Sequence, residues 1–284
     1  MRKKRRFFYL FVFPGFLGIM VFVLLPFMDV VKRSFTTAVT GEFNGGKNYL
    51  TVFQNQAFLL AVGNTVKFTA VCIPVLVLLG LAVALLLSSL KKKSSFKALY
   101  LFPLAMPTAT VVMVWKLVFY QQGFLNLGLT RAGLFTGLWG EIRRDYLGSS
   151  AAFWVLSASY VWKNLGYTVI LWLAGLGGIS KEMEEAARVD GAGSLQRFWR
   201  IVLPNLKGSL YTIVILSFLN SFKIYREAYL TAGAYPDQSI YLLQHLFNNW
   251  FVNLELDKMA AAAVCTGGVL MIAILALQRL WEDS

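Results

Sequence analysis

The stretch EAARVDGAGSLQRFWRIVLP, Glu185 to Pro204, is polar and rich in small residues, yet it lies between two long hydrophobic runs. Just ahead of it Ser180 stands where a helix N-cap belongs. Glu182, Glu184 and Glu185 crowd the first turn, where the helix dipole favours negative charge. Met183, Ala186, Ala187 and Asp190 fall at i, i+3, i+4 and i+7 and so share one face. The two alanines on that face let another surface approach closely. Gly191 and Gly193 then break the helix, Ser194 caps a second one, and Pro204 ends it. A short helix of this kind, held between hydrophobic spans, is suited to docking into a groove on a partner.

The same residues carry a resemblance. Glu185-Ala186-Ala187, three residues, Gly191, nine residues, Ile201, one residue, then Leu203-Pro204 resembles the cytoplasmic EAA loop of bacterial ABC importer permeases. The fuller form, EAAxxDGA through Asp190, Gly191 and Ala192 with Phe198 ahead of IxLP, is similar to the carbohydrate-uptake branch, of the maltose and glycerol-phosphate type. An ordinary connection between two spans has no reason to carry the whole pattern.

Composition bounds the class independently. Of 284 residues, 57% are hydrophobic and only 14% charged, and the mean hydropathy of +0.61 is outside the soluble range. The net charge of +13 is not the footprint of a nucleic-acid binder, because the cations cluster between apolar spans and not along one soluble face. Cys72 and Cys265 sit within apolar runs and read as buried thiols. With His245 as the only histidine and no Cys/His spacing, a zinc site is not expected.

In chain order, MRKKRR followed by Phe7 to Val31 reads as a retained first span; the run is too long for a signal-peptide core and lacks a small-residue cleavage site. Lys32 to Leu60 is a polar external segment. Within it Gly41 to Lys47 matches GxxxxGK, but Asn48 replaces the magnesium-binding Ser or Thr and no buried strand precedes it, so it reads as a turn. The remaining spans are Phe68 to Leu90 (kinked at Pro74), Ala98 to Tyr120, Ala151 to Leu176, Leu210 to Ala234 and Met259 to Leu280. Between the third and fourth, TGLWGEIRRDYLG reads as an interfacial helix resting on Leu138 and Trp139. The expected fold is therefore an all-α integral membrane protein with six transmembrane helices. Its divisions are 1–59, holding the tail, first span and external segment, and a core of 60–284 with the coupling loop at 178–208.

Orientation follows from Lys and Arg. One side of the membrane holds fifteen of them, including Lys91 to Lys93, Lys97, Arg188 and Arg200; the other holds seven, such as Lys47 and Arg144. Both termini and the EAA loop are thus expected in the cytoplasm. Polar residues inside spans must face a cavity, the interface or one another. Tyr160, Lys163, Asn164 and Tyr167 share one face of the fourth span, and Ser217, Asn220 and Ser221 lie on the fifth. Flat aromatic faces beside amides and hydroxyls are what a sugar needs, so Tyr160, Asn164, Tyr167, Ser217, Asn220 and Ser221 are candidate substrate-pathway residues; the plainer reading is that they join helices. In maltose-type permeases the substrate lies between the corresponding helices. Lys223, Arg226 and Glu227 either reach the interface, or Arg226 and Glu227 satisfy each other, or the group forms a cationic lip for an anionic sugar. TAGAYP departs from the family's usual TxGGP. His245, in an amphipathic external piece from Gln244 to Phe251, reads as structural.

The resemblance implies a type I ABC importer permease in the bacterial cytoplasmic membrane. It implies a second, homologous permease, two ATPase subunits on the EAA loops and an extracytoplasmic sugar-binding protein. This chain would bind no cofactor itself, ATP and magnesium residing on the ATPase, and would hold no catalytic or metal site. Glu185, Ala186, Ala187, Asp190, Gly191 and Ala192 would be the coupling residues. Two other classes compete. An ion-driven secondary transporter needs an embedded carboxylate, and the acids near spans, Asp29 and Glu227, lie near span ends. An intramembrane enzyme needs a His/Glu cluster or a nucleophile–base pair that the sequence lacks.

Overall fold

Without water in the hydrocarbon core a spanning segment must satisfy its own backbone, and long apolar runs accordingly form helices. The computed structural model describes residues 2–89, 101–131, 136–137, 140–141 and 144–282. These are nearly all helical. The basic run from Lys91 to Lys97, the start of the third span, and Leu138 and Trp139 lie outside the described residues.

The chain forms two compact units: Met1–Leu59 with Leu246–Ser284, and Leu60–His245. The division read from the sequence is 1–59 and 60–284; by packing, Leu246–Ser284 groups with Met1–Leu59.

In the first unit, α1 (Arg2–Ile19) passes through a π-helical turn at Met20–Leu24 into α2 (Leu25–Ser34). After a loop come α3 (Lys47–Gln54) and the start of α4 (Gln56–Ser88). The phosphate-loop lookalike is indeed a turn: Gly41 and Gly45 take φ of +69° and +65°, and Thr36 pairs with Phe43 across it. Asn48 is buried and donates to the carbonyls of Ser34 (3.0 Å) and Thr36 (2.9 Å), so it pins the loop to the end of α2.

The second unit continues α4 and adds a helical piece at 101–105, α5 (Thr108–Phe119), α6 (Phe124–Arg131) and α7 (Ala152–Gly177). It goes on with α8 (Lys181–Val189), α9 (Ser194–Arg197), a π turn at Phe198–Val202 and α10 (Leu203–Asn205). Next are α11 (Lys207–Ser221), a 3₁₀ turn at Phe222–Ile224 and α12 (Tyr225–Ala232). The chain then runs through α13 (Leu243–Val252) into α14 (Leu256–Glu282).

Among the described residues three helices are long and apolar enough to cross a membrane, Phe11–Ser34, Gln56–Ser88 and Leu256–Arg279, and the pair Ser194–Asn205 and Lys207–Ala232, bent by 62°, passes the same test if taken as one span. The other three expected spans are more polar or interrupted. The third breaks at Met106 and Pro107, since a residue before proline avoids the α region. α7 is 26 residues long but carries Lys163 and Asn164. The fifth changes to 3₁₀ geometry at Phe222–Ile224. The segment expected as an interfacial helix instead pairs Thr136 with Glu141 and Gly137 with Gly140 as a minimal hairpin. Its two glycines disfavour helix by roughly 1 kcal/mol each.

Among the described residues two buried clusters hold the second unit. Phe68, Cys72, Phe153, Tyr160 and Ile224 form one. Ala84, Val169, Trp172, Leu206 and Ile213 form the other. Close approach is required at Gly80, where a Cβ would strike Thr168 and Trp172, and at Gly175, where it would strike Ser209 and Leu206.

Candidate functional site: a polar cleft and an exposed hairpin

The polar face of α7 meets α11 across a network of short bonds. Tyr160 donates its hydroxyl to the Ser217 carbonyl at 2.6 Å, and the Tyr167 hydroxyl lies 2.8 Å from Ser217 Oγ. Asn220 Nδ2 donates to Asn164 Oδ1 at 3.3 Å, while Asn164 donates back to the Tyr160 carbonyl at 2.8 Å. Ser221 Oγ lies 3.4 Å from Thr69 Oγ1 on α4. All six candidate residues are thus gathered at one place, but only some of them line the cleft. Ser217 and Ser221 are buried between helices. Tyr160, Asn164 and Asn220 line a cleft of about 580 Å³ with Lys163, Lys223 and Glu227. Tyr167 bonds to this network without lining the cleft.

The pairing of Arg226 with Glu227, one of the three readings of this group, is not formed. Neighbouring helical residues point about 100° apart and do not face each other. Glu227 is buried and instead accepts from Lys163 Nζ at 2.5 Å, an ion pair that joins α7 to α12. Lys163 already shared a face with Tyr160, Asn164 and Tyr167, so half of this pair was visible as periodicity. Lys223 donates to Asn220 Oδ1 at 2.9 Å.

Between the same two spans the chain leaves as the α8–α9 hairpin. Ser180 caps α8 by accepting the Met183 N–H at 3.3 Å. The Ser180 hydroxyl donates to Glu182 at 2.5 Å and holds that carboxyl below its ordinary range. At the other end Gly191 takes φ +78°. Its N–H bonds to the Arg188 carbonyl (3.1 Å) and that of Ala192 to the Ala187 carbonyl (2.9 Å). These two reversed bonds form a Schellman cap, which requires a left-handed residue after the helix. Ser194 is not the second cap: Gly193 occupies that position, and Ser194 is the first helical residue. Nor does Pro204 end the helix. Proline lacks an N–H and crowds the carbonyl four residues back; here a π turn widens the helix first, with Leu203 N–H bonding to the Phe198 carbonyl.

Glu185, Ala186, Asp190 and Gly191 are exposed; Ala187 and Ala192 are partly covered. Val189, Leu195 and Trp199 present apolar surface on this polar hairpin, Val189 at 88% exposure. The root is different: Leu206 is 1% exposed and belongs to the cluster with Trp172 and Ile213. Among the described residues no group of three or more His, Cys, Asp or Glu is placed to hold a metal.

A helical membrane protein with a polar cleft between two spans, and an exposed hairpin rooted in those same spans, is built as a transport permease. Residues 76–283 match the binding-protein-dependent transport system inner membrane component family, and the chain belongs to it. It is therefore a multi-pass permease subunit of an ABC importer, a family that works with an ATPase, and not an enzyme. It is similar to the trehalose/maltose transport system permease protein MalF of Thermococcus litoralis, 31% identical over 250 residues, or 86% of this chain and 82% of that one. It is also similar to the arabinooligosaccharides transport system permease protein AraP of Bacillus subtilis, 30% identical and covering 94% and 84% of the two chains. In fold it matches a chain of a bacterial alginate ABC transporter solved in complex with an alginate pentasaccharide-bound periplasmic protein, with TM-score 0.81, 18% identity and 98% and 94% coverage.

Proposed function

We propose that this chain carries a carbohydrate across the bacterial cytoplasmic membrane by alternating access, powered by a separate ATPase that docks on the hairpin at 178–208. One observation carries the reading: the exposed hairpin is anchored by buried Leu206 in the cluster that joins α4, α7 and α11. A pull or push on α8 therefore reaches the two helices whose polar faces meet at the cleft. The cargo assignment is supported by what the similar permeases are named for, and by the chemistry of the facing residues. Asn164 and Asn220 offer amides at the cleft, and the Tyr160 and Tyr167 hydroxyls bond to Ser217 behind them.

By resemblance the working assembly holds this permease, a second homologous one, two ATPase subunits carrying ATP and magnesium, and an extracytoplasmic binding protein. The Lys and Arg balance puts both termini and the hairpin in the cytoplasm. Each hairpin then acts as a rigid lever in a switch between inward-open and outward-open states. Glu185 lies on the exposed side of α8 near its first turn, where a basic residue at the rim of an ATPase groove would pair with it.

The experiment is to reconstitute the complete importer with Glu185→Lys or Gly191→Pro. Stimulation of ATP hydrolysis by loaded binding protein is expected to collapse in both, while the permease still inserts and assembles. Full stimulation in both would make the hairpin a mere connector.

A further inference from the structure

Building on the carbohydrate-importer reading, we propose that the cargo bears an anionic group, a carboxylate or a phosphate ester on a sugar. Lys223 and Arg226 are the residues that select it. Among the described residues the cleft beside Asn164 and Asn220 is lined by three cations, Lys163, Lys223 and Arg226, against one acid, Glu227. Lys163 and Glu227 neutralise each other in their ion pair. That leaves two positive charges without an acidic partner. Among the described residues Lys223 is bound only to the neutral amide of Asn220. Arg226 is exposed and has no side-chain partner among the described residues.

These two cations are three residues apart at the point where the fifth span changes from 3₁₀ to α geometry. Like charges at this spacing repel and weaken a helix. A lone cation at a span end is accounted for by reaching lipid headgroups. Two cations turned into one cleft, next to an amide pair with hydrogen-bonding capacity, are better accounted for by a soluble anion that carries hydroxyls. Guanidinium grips a planar carboxylate or a phosphate in bidentate fashion, and the ammonium adds a mobile point charge. The amides then serve sugar hydroxyls.

The test uses the complete importer in phosphatidylcholine/phosphatidylglycerol vesicles. Three probes are supplied: a neutral hexose trisaccharide, the same trisaccharide ending in a uronic acid, and one ending in a hexose phosphate. ATP-dependent uptake of an acidic probe is expected, the two acidic arms telling carboxylate from phosphate. Lys223→Gln with Arg226→Gln should lower it roughly tenfold or more, since charge-assisted hydrogen bonds are the strong ones. Lys223→Arg with Arg226→Lys should restore a large part of it. Uptake of the neutral probe alone, at the same rate in wild type and the Gln pair, would overturn the anionic cargo and leave the carbohydrate reading standing. Loss of thermal stability in the vesicles with selectivity unchanged would assign the two cations to lipid headgroups, and would overturn the proposal too. No ATP-dependent uptake of any saccharide would instead refute the carbohydrate reading on which it rests.

Discussion

His245 is fully buried, stacked on Tyr241 at 5.6 Å and edge-on to Tyr225 at 4.8 Å, with Nδ1 accepting the Leu242 N–H at 3.1 Å. Burial pushes its pKa down to about 4. An unfolded histidine titrates near ~6.5. The unfolded chain therefore takes up the proton first as pH falls. Stability held above ~6.5 is lost as pH drops through the folded value, by on the order of 3 kcal/mol in all. Melting curves in detergent between pH 7.5 and 5 should show this decline, and His245→Asn should flatten it. A parallel decline in the variant would assign the pH dependence to other groups. At Gly191 the cost is steric: Ala in that left-handed position should destabilise α8 by roughly 1 kcal/mol. The free hairpin should lose helicity, measurable as faster amide exchange at Ala186 to Val189. Unchanged exchange would mean the cap contributes little.

Between elements, the ion pair of Lys163 with Glu227 crosses from α7 to α12. Removing one partner leaves a buried charge alone and should cost about 3–5 kcal/mol, whereas replacing both with apolar residues of similar size should be far milder. Lys163→Met, Glu227→Leu and the double change, compared by thermal unfolding, check this; additive losses would argue against a coupled pair. Gly175 supplies a second case. A Cβ there would strike Ser209 and Leu206 at the root of the hairpin. Gly175→Val should therefore uncouple ATP hydrolysis from transport more than it lowers insertion. The sequence made the hairpin legible because its signals are local: a serine cap, a glycine after the last turn, alanines at helical spacing. The ion pair was not legible, because it depends on how two distant helices are rotated against each other. The minimal hairpin at Thr136 to Glu141 was misread for a related reason. Leu138 and Trp139 suggested an apolar helical face, but Gly137 and Gly140 disfavour helix and pair with each other instead.

At the scale of the molecule, the surface is that of a lipid-bathed protein. Phe11 and Phe22 are 88% and 80% exposed on the first span, and Met271 and Ile272 are exposed on the last. Water would not tolerate such a belt, so these faces meet lipid or other subunits. Hydropathy made this legible, along with the order of the long apolar runs. It does not register breaks within a run: residues 106–107 and Phe222–Ile224 interrupt stretches that read as continuous. The cleft lies beside both breaks, lined by Leu104 and Thr108 at the first and by Phe222 and Ile224 at the second. Orientation is checked by cysteine labelling in intact cells. Glu42→Cys and Tyr235→Cys should react with an impermeant maleimide, and Arg200→Cys only after permeabilisation. External reaction at Arg200 would reverse the topology and remove the hairpin from any cytoplasmic ATPase.

The π turns at Met20–Leu24 and Phe198–Val202 both stand immediately ahead of a Leu-Pro pair, Leu25-Pro26 and Leu203-Pro204. A π turn holds one residue more than an α turn, which amounts to a phase slip of about 100° around the helix axis. The second one therefore acts as an indexing notch. It sets the azimuth at which Leu195 and Trp199 emerge relative to the buried Leu206, in the way a keyway sets a cam on its shaft. Deleting one residue, such as Arg200, should keep the hairpin folded and hydrophobically complete but turn its contact face away from its partner. Such a protein would insert normally, yet ATP hydrolysis would no longer respond to loaded binding protein. Replacing Pro204 with Ala would release the notch and let α and π phases compete.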